Sequence, residues 1–169
     1  ATGAPQRLRA ESADSDLHAV ISLAFTADSQ HLWTAGDTLT QWNLASRTPR
    51  QLHLPGGAVR AMCIVQKGIA AAGDDGIVRI WSGIDTKPRE LAGIRRPIWA
   101  LAASADGTRM LTGDADGNLR LWTVNTGEMQ IILQGHSRGI LSVEFVAKDR
   151  QAVSAGADGT VRLWQLPFP

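Results

Sequence analysis

Three residues near the C-terminus carry the side chains of acyl-transfer chemistry. His136, Ser154 and Asp158 supply a base, a hydroxyl and a carboxylate, a set that moves protons along a hydrogen-bonded chain when the groups meet in space. Two aspartate-rich stretches, Asp74-Asp75-Gly76 and Asp114-Ala115-Asp116-Gly117, have the carboxylates of a calcium loop. They lack the remaining ligands at loop spacing, notably a terminal Glu. His18, His31 and His53 are isolated in sequence, and the single Cys63 excludes an internal disulfide and a cysteine-based zinc site. No glycine-rich phosphate loop, paired carboxylates or HExxH motif is present. No metal or cofactor is therefore expected, and whether His136, Ser154 and Asp158 do chemistry depends on the elements that hold them.

Those elements repeat. From Gly135 to Trp164 the chain reads Gly-His, an alternating apolar run through Ile140, Val143 and Phe145, a second run Ala152-Val153-Ser154-Ala155-Gly156, the pair Asp158-Gly159, and Val161-Arg162-Leu163-Trp164. Period-two alternation predicts half-buried strands, and Asp-Gly is a strong tight-turn signal between them. Strand-ending tryptophans recur at Trp42, Trp81, Trp122 and Trp164, spaced by 39, 41 and 42 residues. Aligned on them, Val20, Val59, Ile98 and Ile140 each open a first strand, and Asp75-Gly76, Asp116-Gly117 and Asp158-Gly159 fall on one turn.

A period near 40 with several short strands, an Asp-containing turn and a terminal Trp is the pattern of a propeller blade. On these residues the sequence resembles the WD40 repeat family, in four units: 17–56, 57–93, 94–135 and 136–169. The expected fold is all-β, a WD40-type β-propeller with four blades in residues 17–169, each a four-stranded antiparallel sheet. The family's Trp-Asp dipeptide is absent, the tryptophans being followed by Asn43, Ser82, Thr123 and Gln165. Only the fourth unit has the Gly-His pair, and the first is short in its turn.

The strand count leaves one end open. Outer strands are readable near Arg50–Leu54, Arg89–Ala92 and Met129–Leu133, but Trp164 is followed only by Gln165-Leu166-Pro167-Phe168-Pro169, where two prolines disfavour a paired strand. Within the N-terminal segment, 1–16, residues 6–9 (Gln6-Arg7-Leu8-Arg9) resemble an outer strand able to complete the last blade. Four blades then close in one of three ways: as half of an eight-bladed ring in a head-to-tail homodimer, in a hetero-assembly or with the remainder of a longer chain, or alone.

The resemblance also implies roles. In WD40 blades a turn carboxylate, a histidine, a hydroxyl and the indole N–H form a structural network. Carried over, this comprises His136, Ser154, Asp158 and Trp164 in blade four, with partial sets Thr112, Asp116 and Trp122, Asp75 and Trp81, and Trp42 in the others. A buried network whose members satisfy one another braces a fold without being a catalytic site, so no enzyme is expected. The partner-facing positions carried over are Ile21, Arg60, Trp99 and Leu141 on the first strands and Asp74 before the turn. Arg95, Arg96 and Arg138 lie in adjoining loops. A tryptophan beside arginines has hot-spot composition, which suggests a non-catalytic scaffold for a protein partner, in particular an acidic or phosphorylated peptide.

The 169 residues are 44% apolar and 20% charged with net charge +1, which gives no global case for nucleic-acid binding and no run long enough for a membrane helix. The sequence starts at Ala1 rather than Met, so a removed secretory leader stays open. Cytoplasmic residence is the marginally favoured expectation.

Overall fold

A computed structural model describes residues 8, 19–26, 28–52, 54, 57–66, 68–83, 85–91 and 93–167. Among the described residues fifteen strands form four antiparallel sheets in chain order. Blade one comprises β1 (Ser22–Phe25), β2 (His31–Ala35), β3 (Leu39–Asn43) and β4 (Pro49–Leu52). Blade two comprises β5 (Val59–Val65), β6 (Gly68–Gly73), β7 (Val78–Trp81) and β8 (Arg89–Leu91). Blade three comprises β9 (Ile98–Ala103), β10 (Arg109–Asp114), β11 (Asn118–Thr123) and β12 (Met129–Gln134). Blade four comprises β13 (Ile140–Val146), β14 (Gln151–Gly156) and β15 (Val161–Gln165).

The registers superpose the four units. Leu23 pairs with Thr34, Met62 with Ala71, Leu101 with Thr112 and Val143 with Ser154. The three Asp-Gly turns close alike, the amides of Gly76, Gly117 and Gly159 donating three residues back to Gly73, Asp114 and Gly156. Each of these glycines has φ between 70° and 87°, the left-handed region that glycine enters without steric cost.

Neighbouring blades pack face to face. Trp33, Met62, Ile69 and Trp81 fill the first interface. Cys63, Val78, Ile98, Met110 and Trp122 fill the second, and Leu111, Leu121, Ile140, Val143 and Trp164 the third. The middle strands β6 and β10 of the two central blades are covered on both faces. This is why Ile69-Ala70-Ala71-Ala72-Gly73 and Arg109–Asp114 are buried throughout rather than alternately. Rim contacts tie blades together: Arg89 donates to the carbonyls of Val124 and Asn125, and Arg109 to that of Asp149.

Blade one, despite its short turn, is a complete four-stranded sheet, with Trp42 donating to the Thr34 hydroxyl at 3.0 Å. Blade four contributes three strands among the described residues, the number expected from its own repeat. The closing strand expected at residues 6–9 lies outside the described residues except for Leu8, which is in no strand. Among the described residues the blades form an arc: β1 packs on β5, β5 on β9 and β9 on β13, and no comparable packing joins β1 to β13. Val20, Leu23 and Phe25 on the first blade and Val161 and Leu163 on the last are exposed, although the equivalent Val59, Met62, Leu119 and Leu121 are buried between blades.

Candidate functional site: the mouth of the arc

Three of the four inner strands, β5, β9 and β13, share one irregularity, and it builds the site. In β5 the register passes from Val59 opposite Gly73 to Ala61 opposite Ala72, skipping Arg60. In β9 it skips Trp99, and in β13 Leu141. A β-bulge leaves its extra residue out of the ladder and re-aims that side chain. Ile21, just ahead of β1, donates its amide to Ala35 at 2.9 Å in the matching place. Ile21, Arg60, Trp99 and Leu141 thus line one concave cavity of about 200 Å³.

The cavity mixes apolar surface with one satisfied charge pair. Leu141 and Ile21 are exposed. Trp99 is half-buried and lies over Gly139, where a Cβ would stand only 2.7 Å from its Cε3. Gly139 is the platform for this ring, and sequence reading did not identify it. Arg60 grips Asp74 with both arms, Nε to Oδ1 at 2.8 Å and Nη2 to Oδ2 at 2.9 Å. That hydrogen-bonded pair raises the guanidinium pKa and holds the Asp74 carboxyl below its ordinary value. Arg95, Arg96 and Arg138 are exposed and do not line the cavity. Arg96 is paired with Asp116 at 2.8 Å. The expected basic patch is therefore partly neutralised in the chain itself.

Blade four contains the connected polar chain. The Trp164 indole N–H donates to Ser154 Oγ at 2.8 Å, so the Ser154 proton is directed to His136 Nε2, also at 2.8 Å. His136 Nδ1–H then faces both Asp158 oxygens at 3.0 Å. Burial by itself raises the Asp158 carboxyl, but hydrogen bonds from the Thr160 hydroxyl, the Ser137 and Thr160 amides and His136 outweigh it. They hold the group well below the usual carboxylate range. A Cβ at Gly156 would sit 2.8 Å from Asp158 Oδ1 and nearer still to His136 Nδ1, so the chain needs glycine there. Ser154 is fully enclosed, and its oxygen is already engaged twice. It braces the blade and offers no hydroxyl to a substrate.

The partial networks differ from expectation at two places. In blade three Trp122 donates to Thr112 at 3.1 Å, but Asp116 is turned outward to Arg96. The fully buried Asp114 takes the inward role, accepting from the amides of Asp116 and Asn118 and from Arg120. Its place in the repeat is occupied by Gly73 and Gly156 elsewhere, so alignment alone gives it no role. In blade two Asp75 serves Arg79 Nη1 at 2.6 Å and the Ile77 amide at 3.0 Å, while Ala71 stands where the other blades place a hydroxyl opposite Trp81. The Cys63 thiol is pushed up to about 12 by burial, which leaves it protonated and unreactive. Among the described residues no three His, Cys, Asp or Glu side chains converge as a metal site; His18 and His53 lie outside them.

Consecutive antiparallel sheets packed face to face around a common mouth define a β-propeller architecture. Two WD40 repeats are recognised in the chain: the WD domain, G-beta repeat matches residues 87–123 and 127–165, within blades two to four. It is 30% identical over 109 residues to Protein ROOT INITIATION DEFECTIVE 3 of Arabidopsis thaliana, covering 64% of this chain and 25% of that one. It is 33% identical over 95 residues to the SIR4-interacting protein SIF2 of Saccharomyces cerevisiae, covering 56% of this chain and 18% of that one. The fold matches the structure of U3-55K with a TM-score of 0.81 at 21% identity, over 91% of this chain and 51% of that one. The chain thus spans about a quarter or less of these two curated relatives and about half of that solved chain.

Proposed function

We propose that the chain is a non-catalytic interaction scaffold whose arc mouth captures a segment of another protein. The observation that carries this reading is the projection of Arg60, Trp99 and Leu141 from equivalent bulges, with Ile21 in the matching place ahead of β1, into one cavity. WD40 homologues support a protein-interaction role in general. Here Trp99 and Leu141 provide apolar anchorage, and the enclosed serine network of blade four argues against hydrolytic use of the same blade. An acidic or phosphorylated segment suits the exposed Arg95 and Arg138 at the rim. It competes with Asp74 for Arg60, so apolar contact provides the larger part of the affinity.

The test is affinity purification followed by titration of the protein that co-purifies. Trp99→Ala together with Leu141→Ser should weaken that complex by about 30-fold, the scale of a hot spot, with the melting temperature unchanged. Unchanged affinity refutes the mouth as the binding site, and a collapse of stability would make Trp99 a packing residue.

A second reading is favoured by a separate observation. The exposed apolar faces at both ends of the arc repeat positions that are buried or half-buried where a neighbouring blade is present. On this reading the chain is a structural subunit of a larger ring, completed by a second copy or by other blades.

A further inference from the structure

Two residues past the blade tryptophan, three blades carry an aliphatic side chain: Leu44, Val124 and Leu166. Their amides donate to the carbonyls of Gln30, Thr108 and Arg150 at 3.0, 2.7 and 3.0 Å, so the three places are structurally equivalent. Val124 and Leu166 are buried against the preceding blade, in the clusters that hold Trp122 and Trp164. Leu44, with no described blade before it, is half-buried. Blade two has glycine there, Gly83, although blade one packs against it. A Cβ on Gly83 would meet only the Thr86 methyl, at 3.7 Å, which is ordinary contact.

The missing side chain leaves a pocket of about 160 Å³ between blades one and two, lined by Trp33, Gln41, Gly68, Trp81 and Gly83 among others. It lies at the far end of the strands from the mouth: Gly68 is opposite Val65, the last residue of β5, whereas Arg60 is the second. Gly68 cannot fill it, since a Cβ there would stand 1.8 Å from the Trp81 carbonyl oxygen. Two polar groups on its lining residues lack partners. The indoles of Trp42, Trp122 and Trp164 donate to a strand hydroxyl. The Trp81 indole, 4% exposed, has no acceptor among the described residues. Gln41 takes the place of Ile80 and Leu121, and its side-chain amide is equally unpaired among them. An apolar cavity of about 150 Å³ takes up a benzene-sized guest; this one adds hydrogen-bonding groups to the apolar wall.

We propose that this pocket is a second docking site, which takes one branched aliphatic residue, a Leu or Val, from an extended segment of a partner protein. The side chain occupies the space that Val124 and Leu166 fill from within their own blades. Main-chain carbonyls beside it accept from the Trp81 indole N–H and the Gln41 amide, which satisfies donors that are costly to leave unpaired. Among the described residues no charged side chain lines the pocket, so the recognised residue is neutral. Ile84, next in sequence to Gly83, lies outside the described residues; its place in the repeat is that of Ala45, Asn125 and Pro167, which are exposed. The site is independent of the mouth and of how the arc closes.

The probe is N-acetyl-L-leucine N-methylamide, titrated into the isotopically labelled full chain while NMR follows the indole N–H resonances. Saturable movement of the Trp81 resonance is expected, and N-acetylglycine N-methylamide, which has no side chain to insert, should leave it in place. Gly83→Val refills the space from the chain itself; it should weaken the leucine probe about tenfold or more without lowering the melting temperature. Three results would each overturn the proposal: no movement of Trp81 at the solubility limit of the probe, equal response to the glycine and leucine probes, or undiminished binding by a folded Gly83→Val chain. Binding that appears only after Ile84→Ser would show that the chain fills its own pocket, and would overturn it as well.

Discussion

At the residue scale, the three side chains with catalytic composition are held for bracing. Ser154 is pinned between an indole N–H and an imidazole nitrogen, and His136 between Ser154 and Asp158. Removing the ring strands a buried hydroxyl and a carboxylate, so His136→Ala should cost about 1–3 kcal/mol in urea unfolding. Blade four should also be acid-sensitive. Asp158 titrates in the folded chain well below its ordinary value of 3.8. The stability it contributes is therefore complete above about pH 4 and is lost as the pH falls through that value toward the lower folded one. Asp158→Asn should reduce the loss of stability between pH 5 and 2, with Asp74 and Asp106, also lowered, keeping the remainder. An unaltered acid limb would show that Asp158 is not its source. The residues invisible to sequence reading act by what they lack or where they sit. Gly139 admits the Trp99 ring, Gly156 admits the His–Asp contact, and Asp114 works only because its blade is covered on both sides.

At the scale of the element, strand identity was legible because most strands carry a period-two pattern and the turns of blades two, three and four carry an Asp-Gly pair. Central strands such as β6 gave a weaker signal, since burial on both faces replaces alternation with a run of small apolar residues. The bulges were not legible as bulges. They arise when two strands of unequal path length keep their hydrogen bonds on either side of one surplus residue, which is a property of the pair. Aligning repeats still located Ile21, Arg60, Trp99 and Leu141 as equivalent positions; their convergence on one cavity needed the packing of four sheets. The charges show the opposite outcome, because the loop residue Arg96 is paired with Asp116 and Arg60 of β5 with Asp74. Sequence distance gave no indication of those pairs.

At the scale of the whole molecule, an open arc has two ends that match each other's chemistry. Every internal interface joins the outgoing face of one blade to the incoming face of the next, and both terminal faces remain apolar. A second copy can therefore add head to tail, and light scattering at micromolar concentration should give a mass above the 18.1 kDa of one chain. Val161→Lys with Leu163→Lys should return it to one chain without changing the circular dichroism of the blades. An 18.1 kDa wild-type particle would remove the homodimer. The amino-acid sequence by itself determined the repeat, the strands and the turns, because these depend on local propensity and on periodicity within some forty residues. Only the tertiary structure decided which polar groups find partners, which bulged side chains meet, and which faces stay open. The convergence of the bulged side chains and the exposure of the end faces depend on packing between blades, which no single repeat contains, and polar pairs such as Arg60 with Asp74 depend on how neighbouring strands and turns of one blade meet in space.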